Sequence, residues 1–285
     1  MTTSKATALT RTQLEALTAT NIEDTIPEAE LAAALASRPF IQAGLLNLRD
    51  LGAVPGSAVR PGLIYRSAKL QDDASTHAWI GEQVKTVFDL RGEAEVRHSP
   101  DPAVDGVANI WFAPERKPDH IDLTRFIDGD GSAEWARQYL AVLELYRPGI
   151  RAVLEHIRDR PGQSLLFHCT AGRDRTGIVA GLLHDLAGTA HKDVVYDYML
   201  TRVGLEPGRA QLEARILAHW KIADAQNEPG WSNFASLRPT SWCAFVDGVQ
   251  ETYGGFEGYV TRHLGFSEED VGTIRRHLRD TTSVV

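Results

Sequence analysis

The sequence predicts an α/β fold: a mostly parallel central sheet flanked by helices, with a helical insertion and a helical C-terminal region. Three observations predict it. Between residues 41 and 200, short apolar runs of strand length alternate with stretches of helical period, the pattern of strands joined by crossover helices. One run, residues 165–168, delivers Cys169 into a turn. That turn opens at once onto a helical pattern, with Val179, Leu182, Leu183 and Leu186 at helical spacing and Gly188 as its stop. Sheets of this kind gather their ligands at the carboxyl ends of the strands, and Cys169 falls there.

In chain order, residues 1–10 are rich in Thr, Ser and Ala and read as a loose tail. Leu14 and Leu17, then Leu31, Ala34 and Leu35 after Pro27, mark short amphipathic helices. They assign residues 1–38 to an N-terminal arm that packs on a body spanning 39–285. From Ile41 strands are expected over 45–48, 63–65, 86–90, 109–112 and 165–168, with Gly and Pro between several of them and a helix over 76–83. Residues 115–131 are charged and contain Gly. Two helices follow, over 133–145 and 150–160, joined around Arg147-Pro148-Gly149, and the second packs on the sheet through Val153, Leu154 and Ile157. The stretch 115–160 is either a helical lid over the site or a plain surface insertion. Beyond Gly188, helices are expected over 194–200, 208–219, 241–253, 256–264 and 267–278. Ser267, with Asp270 three residues on, caps the last.

Composition narrows the class. At 285 residues with 43% apolar and 24% charged content, the chain can bury a large core. A net charge of −8 argues against nucleic acid as the main partner, which needs a basic face. Two cysteines, Cys169 and Cys243, are too few for a disulfide framework and suit a reducing cytoplasm. No apolar run reaches membrane-spanning length and the N-terminus lacks a signal-like core, so a cytoplasmic protein is expected, secretion by another route being left open. No His/Cys cluster has metal-ligand spacing, and neither metal nor cofactor is expected. Oligomeric state leaves no mark in the sequence.

The chemistry concentrates in His168-Cys169-Thr170-Ala171-Gly172-Arg173-Asp174-Arg175-Thr176-Gly177. A strand, a tight loop and a helix N-terminus together build a concave anion site. The loop amides of Thr170, Ala171, Gly172 and Arg173 line it and the helix dipole lies behind them. A thiol held there is stabilised as thiolate. Arg175 follows Cys169 after five residues and can fork two donors onto two oxygens of one phosphate. This is machinery for attack on phosphorus: Cys169 as nucleophile, the amides and Arg175 as clamp, and the Thr176 hydroxyl on the sulfur. His168 is expected to orient the loop. Gly172 and Gly177 allow close backbone approach.

The string resembles the signature loop of the cysteine-based protein tyrosine phosphatases, in particular the atypical bacterial branch with HCxxGKDRTG. Asn47-Leu48-Arg49-Asp50-Leu51-Gly52, Tyr65-Arg66-Ser67-Ala68-Lys69-Leu70 and Phe88-Asp89-Leu90-Arg91 are similar to that branch's N-terminal motifs, in the same order. The resemblance covers residues 40–200 well and implies a cysteine-phosphatase fold. It also implies hydrolysis of phosphotyrosine, with phosphoserine, phosphothreonine or phosphoinositides as further substrates of some members. Arg173 stands where many members carry Lys.

The resemblance points to Asp174 as general acid for the leaving oxygen, with Asp89 next. The Trp-Pro-Asp tripeptide of classical members is absent, and Glu115 or Asp119, after the loose echo Trp111-Phe112-Ala113-Pro114, are further candidates. Arg173 reads either as a contact for a second phosphate or acidic neighbour, or as a solvated arginine. Arg49, Asp50, Arg66, Lys69, Arg91 and Glu95 fall at strand ends and read as an ion-pair frame around the loop; Asp89 also has a structural reading. Trp231, Phe234, Trp242 and Phe245 read as core, with one as a pocket wall, and Cys243 as a small buried apolar residue. Two readings from other classes stand beside this one: a catalytically silent phosphate-binding module, and a rhodanese-like sulfurtransferase.

Overall fold

The structure is a computed structural model that describes residues 8–225 and 227–279. The tail expected over residues 1–10 lies, as far as residue 7, outside them. Five strands, β1 (Arg49–Asp50), β2 (Ile64–Ser67), β3 (Thr86–Asp89), β4 (Ala108–Trp111) and β5 (Leu165–His168), form one sheet of order β1-β2-β5-β3-β4. β1 runs antiparallel to β2 at the edge and the other pairings are parallel. The helices are α1 (Arg11–Thr18), α2 (Glu28–Leu35), α3 (Ala74–Gln83), α4 (Glu93–His98), α5 (Ser132–Leu145), α6 (Arg147–Asp159), α7 (Asp174–Ala187), α8 (His191–Met199), α9 (Thr201–Gly204), α10 (Arg209–Trp220), α11 (Trp231–Ala235), α12 (Pro239–Tyr253), α13 (Phe256–Gly258) and α14 (Glu268–Arg279).

From β2 the chain crosses through α3 to β3 and leaves a slot, which β5 fills much later. Cys169 therefore leaves the middle strand at the carboxyl end of the sheet, between Ser67 and Asp89 of its neighbours. Side chains alternate across the sheet. Ile64, Phe88, Leu165 and Phe167 enter the main core with α5, α6, α7, α12 and α14. Tyr65, Val87 and Leu166 enter a second core under α3, with Ile80, Val84 and Leu48. α7 is buried along nearly its whole length, and Gly188, in a left-handed conformation, ends it as expected. A third cluster seats the arm: Leu14, Leu17, Ile26 and Ala34 pack on Tyr196, Leu200 and Val203.

Four expectations are corrected. Residues 45–48 are a turn: Asn47 takes φ of 58°, and the ladder begins only at Arg49. Arg147-Pro148-Gly149 is the first turn of α6 and not a linker, because a proline there removes an N–H that has no partner in a helix start. Residues 256–264 are one short α-helical turn followed by a wider π-helical turn, Tyr259–His263. Last, most of 115–160 is no cover: α5 buries Trp135, Tyr139 and Leu143, and α6 buries Ile150, Val153, Leu154 and Ile157. Their apolar faces place both helices in the main core.

One buried ion cluster ties the two halves of the chain. Asp197 of α8 accepts from Arg49 Nε at 2.7 Å and from Arg66 Nη1 at 2.6 Å, with all three side chains out of water. Burial pushes its carboxyl up, but the two guanidiniums win and hold it far below the usual carboxylate range. Its contribution is thus present above the unfolded carboxylate pKa and is lost only in strong acid. Asp197→Asn strands two buried cations and is expected to destabilise the fold by about 3–5 kcal/mol, read from urea unfolding near neutral pH.

Candidate active site

The loop from Cys169 to Arg173 is shaped from beneath. Gly172 has φ of +64°, and a Cβ there would lie 2.3 Å from the Ser67 carbonyl oxygen, so only glycine fits. Its own carbonyl accepts from Arg66 Nη2 at 2.8 Å and Asn47 Nδ2 at 2.9 Å. Arg66 is in turn fixed by Asp197. With the carbonyls engaged on that side, the backbone N–H groups of residues 170–175 bond no acceptor among the described residues. Six donors and the positive end of α7 are left for an anion.

Cys169 is 2% exposed and lines a cavity of about 1070 Å³ together with Thr170, Ala171, Arg173, Asp174 and Arg175. The Thr176 hydroxyl is buried and has no hydrogen-bond partner among the described residues. Arg175 is gripped by Glu95 of α4, with Nη1–Oε2 at 2.6 Å and Nη2–Oε1 at 2.9 Å, and its guanidinium carbon lies 5.5 Å from the Tyr146 ring centre. Nη1 also reaches the Leu90 carbonyl, whereas Nε bonds nothing described. The face of the guanidinium fork carrying Nε therefore stays available. Burial pushes the Glu95 carboxyl up, but Arg175, Thr170 and the Gly92 amide outweigh it and hold it at about 2. Glu95 thus stays ionised at neutral pH and fixes both the arginine and the loop threonine, which it also bonds.

The acid candidates separate by geometry. Asp174 lines the cavity; its Oδ1 accepts from Tyr139 Oη at 2.8 Å and sits 3.2 Å from Arg173 Nε, while Oδ2 has no described partner. Both oxygens of Asp89 are taken by Arg91, and the residue is 6% exposed. It is a buried ion pair that does not line the cavity. Glu115 pairs with Arg147 and Asp119 with Arg116 on the surface, and neither lines the cavity.

Arg173 matches neither expectation. It lies with its guanidinium carbon 4.5 Å from the Trp135 ring centre and donates to the carbonyls of Phe234, Ala235 and Ser236 at 3.1–3.2 Å, at the end of α11. Burial lowers its pKa, but Asp174 and the two tyrosines more than compensate, and it stays charged. It holds α11 against the loop and has little left for a second phosphate. Of the expected frame, Arg49, Arg66, Arg91 and Glu95 form ion pairs. Asp50 instead accepts from the Gly52 and Gly62 amides, and Lys69 reaches the Ser99 hydroxyl. His168 is fully buried, bonded to Asp101 at 2.8 Å and within 3.4 Å of the Cys169 carbonyl. Asp89, Asp101 and His168 stand close enough together to hold an ion, but Arg91 and their mutual bond already occupy them. Cys243 is half-buried beside His191, outside the cavity, so it is not the buried apolar residue expected.

Part of the cover comes from residues the sequence did not assign to the site, and part from Trp231 and Phe234, two of the aromatics read as core with one as a pocket wall. Leu212, Ile216 and Trp220 of α10, with Trp231 and Phe234 of α11, wall the cavity, and Trp220 meets Trp231 edge-on and Phe234 at a tilt. The arm adds Ile22 and Glu23, held there by Arg209 on the Ile22 carbonyl and by Ser232 on Glu23. From 115–160 only Ile127 and Trp135 reach it.

Comparison with known proteins agrees with this geometry. The sequence model described as the tyrosine phosphatase family matches residues 42–280. A tyrosine-protein phosphatase of Nostoc commune is 30% identical over 233 residues, covering 79% of this chain and 77% of that protein. The triple specificity protein phosphatase PtpB of Mycobacterium tuberculosis is 27% identical over 271 residues, covering 81% of this chain and 96% of its own length.

Proposed function

Since the chain belongs to the tyrosine phosphatase family and is a protein tyrosine phosphatase, we propose that its turnover runs through a phosphorylated Cys169, with Arg175 and the loop amides as clamp and Asp174 as acid. One observation carries the assignment: a cysteine, six N–H groups without a described acceptor and a guanidinium held by Glu95 belong to one loop that lines a cavity. Neither a silent phosphate-binding module nor a sulfurtransferase accounts for family and geometry together.

In the first step the Cys169 thiolate attacks phosphorus in line with the leaving oxygen. The sulfur–phosphorus bond forms as the phosphorus–oxygen bond breaks, and Asp174 Oδ2 passes its proton to the departing oxygen. Charge on the three equatorial oxygens is met by the N–H groups of residues 170–175 and by Arg175, which Glu95 keeps in place. In the second step Asp174 takes a proton from water as its oxygen attacks phosphorus. Phosphate leaves and the thiolate returns. Thr176 donates to the sulfur as it carries charge.

Phosphotyrosine reaches the floor between Trp231, Phe234 and Ile216. A cavity of about 1070 Å³ is wider than a slot for one ring, which supports acceptance of phosphoserine and phosphothreonine, as the name of the Mycobacterium relative suggests for that protein. Phosphoinositides fit less well, because the arginine expected to meet a second phosphate is spent on α11. The family match beginning at residue 42 supports a catalytic body from 39 onward with residues 1–38 as an arm. Two free thiols support a cytoplasmic setting; no described helix is long and apolar enough to cross a membrane.

The test is rapid quench during turnover of p-nitrophenyl phosphate. Phosphate is expected on Cys169 by mass spectrometry, with steady-state rate unchanged by chelator. A rate abolished by chelator, with no phosphorylated cysteine, overturns the assignment.

A further inference from the structure

Behind the loop, away from the cavity, lies a closed set of four charged or titratable side chains. Asp89 on β3, Arg91 just past it, Asp101 in the connection to β4 and His168 at the end of β5 are all but excluded from water. Arg91 bonds Asp89 through Nε and Nη2, and Asp101 through Nη2 at 2.8 Å. Asp101 gives its second oxygen to His168 Nε2 at 2.8 Å. The other ring nitrogen, Nδ1, faces the Cys169 carbonyl oxygen at 3.4 Å. Asp89 is the next nearest charge to the ring, at 3.9 Å.

Both ring nitrogens of His168 therefore face acceptors, a carboxylate on one side and a carbonyl on the other. A neutral imidazole satisfies one and sets a lone pair against the second. Charge leads to the same place: two buried carboxylates against one guanidinium leave a negative charge unmatched unless His168 carries the second proton. The nucleophile has a matching need. Arg175 interacts with the sulfur but is already paired with Glu95, and Tyr146, also beside the sulfur, offers no positive charge. A thiolate at 169 thus draws on α7 and on whatever charge stands behind the loop.

We propose that Asp101 is a positioning residue, which holds His168 as an imidazolium with Nδ1–H on the Cys169 carbonyl and so both orients the loop and stabilises the thiolate. Asp101 touches neither substrate nor sulfur and acts through the ring. Arg91 and Asp89 hold Asp101 in turn, so the motif Phe88-Asp89-Leu90-Arg91 serves the nucleophile from a distance. The idea rests on reading Cys169 as the nucleophile.

Asp101→Asn keeps the size and an oxygen acceptor but removes the charge. The onset of Cys169 alkylation by iodoacetamide, followed against pH, is expected to move about one pH unit upward, with the acid limb of kcat/KM for p-nitrophenyl phosphate moving alongside. The rate then falls about tenfold below the limb and little above it. Asp101→Glu is expected to restore most of the profile. In a His168→Gln background, Asp101→Asn is expected to add no further shift, because its effect passes through the ring. A rate lowered equally at every pH, or a full shift persisting without the imidazole, overturns the proposal. So does an unmoved profile in a variant that melts like wild type. Should Cys169→Ser retain turnover, the nucleophile reading itself fails, and that result is separate from any outcome at Asp101.

Discussion

Cys169→Ser is expected to lower turnover of p-nitrophenyl phosphate by on the order of 10⁶-fold, the scale on which an enzyme loses its nucleophile, while phosphate still binds. The two halves of this result have different causes. Serine fits the space of a cysteine that is 2% exposed, and it leaves the cradle intact: Gly172 on Arg66 and Asn47, Arg175 on Glu95, and the N–H groups of residues 170–175. Anion binding is therefore retained, and calorimetry with inorganic phosphate or tungstate reads it directly. What is lost is an ionised atom at the floor, since a hydroxyl in the same field stays protonated and Asp174 enters that step as the acid, holding its proton for the leaving oxygen. Glu95 cannot serve, because Arg175 and Thr170 hold it ionised and occupied. A serine variant within a hundredfold of wild type moves the nucleophile elsewhere. One that also loses phosphate binding shows the cradle to depend on the sulfur itself.

How far this site was legible in the sequence depends on where the information sits. The loop is local: strand, turn, arginine and helix follow one another within thirteen residues from Leu165 to Gly177, and each folds as its neighbours dictate. The parallel sheet was legible for the same reason, since its strands are short apolar runs with turn residues between them. What failed was distant or featureless. Arg173 lies in the loop, yet the ring of Trp135 and the last carbonyls of α11 decide where its side chain goes. α4 has no buried residue, so no apolar period announces the helix that carries Glu95. The charged run 115–131 leaves lid and surface insertion equally open for 115–160, whereas Trp135, Tyr139 and Leu143, four residues apart, form the stripe of a core helix. α10 was legible as a helix. That its apolar side roofs the cavity follows from the chain's path after α7, which periodicity does not encode.

Asp174→Asn is expected to lower kcat about 10²–10⁴-fold for substrates with poor leaving groups, the usual contribution of a general acid, and far less for p-nitrophenyl phosphate. The distinction follows from what the proton does. A phenolate of low basicity departs unaided, whereas a tyrosyl or seryl oxygen must be protonated as its bond to phosphorus breaks. Plotted against leaving-group pKa, log kcat is expected to be nearly flat for wild type and to fall steeply for Asp174→Asn; the basic limb of the pH–rate profile is expected to vanish in the variant. The structure supports Asp174 over its rivals on hydrogen-bond occupancy. Tyr139 and Arg173 both engage Oδ1, which fixes the carboxyl and leaves Oδ2 without a described partner on a residue that lines the cavity, while Asp89, Glu115 and Asp119 are paired elsewhere. Asn retains the contact from Tyr139 through its carbonyl oxygen, so the loss is chemical and not structural. Tyr139→Phe sharpens the test. It removes the hydrogen bond that orients the acid and is expected to lower kcat by a smaller factor, about tenfold, while keeping the basic limb. A matching leaving-group slope in Asp174→Asn and wild type would place the proton donor on another group.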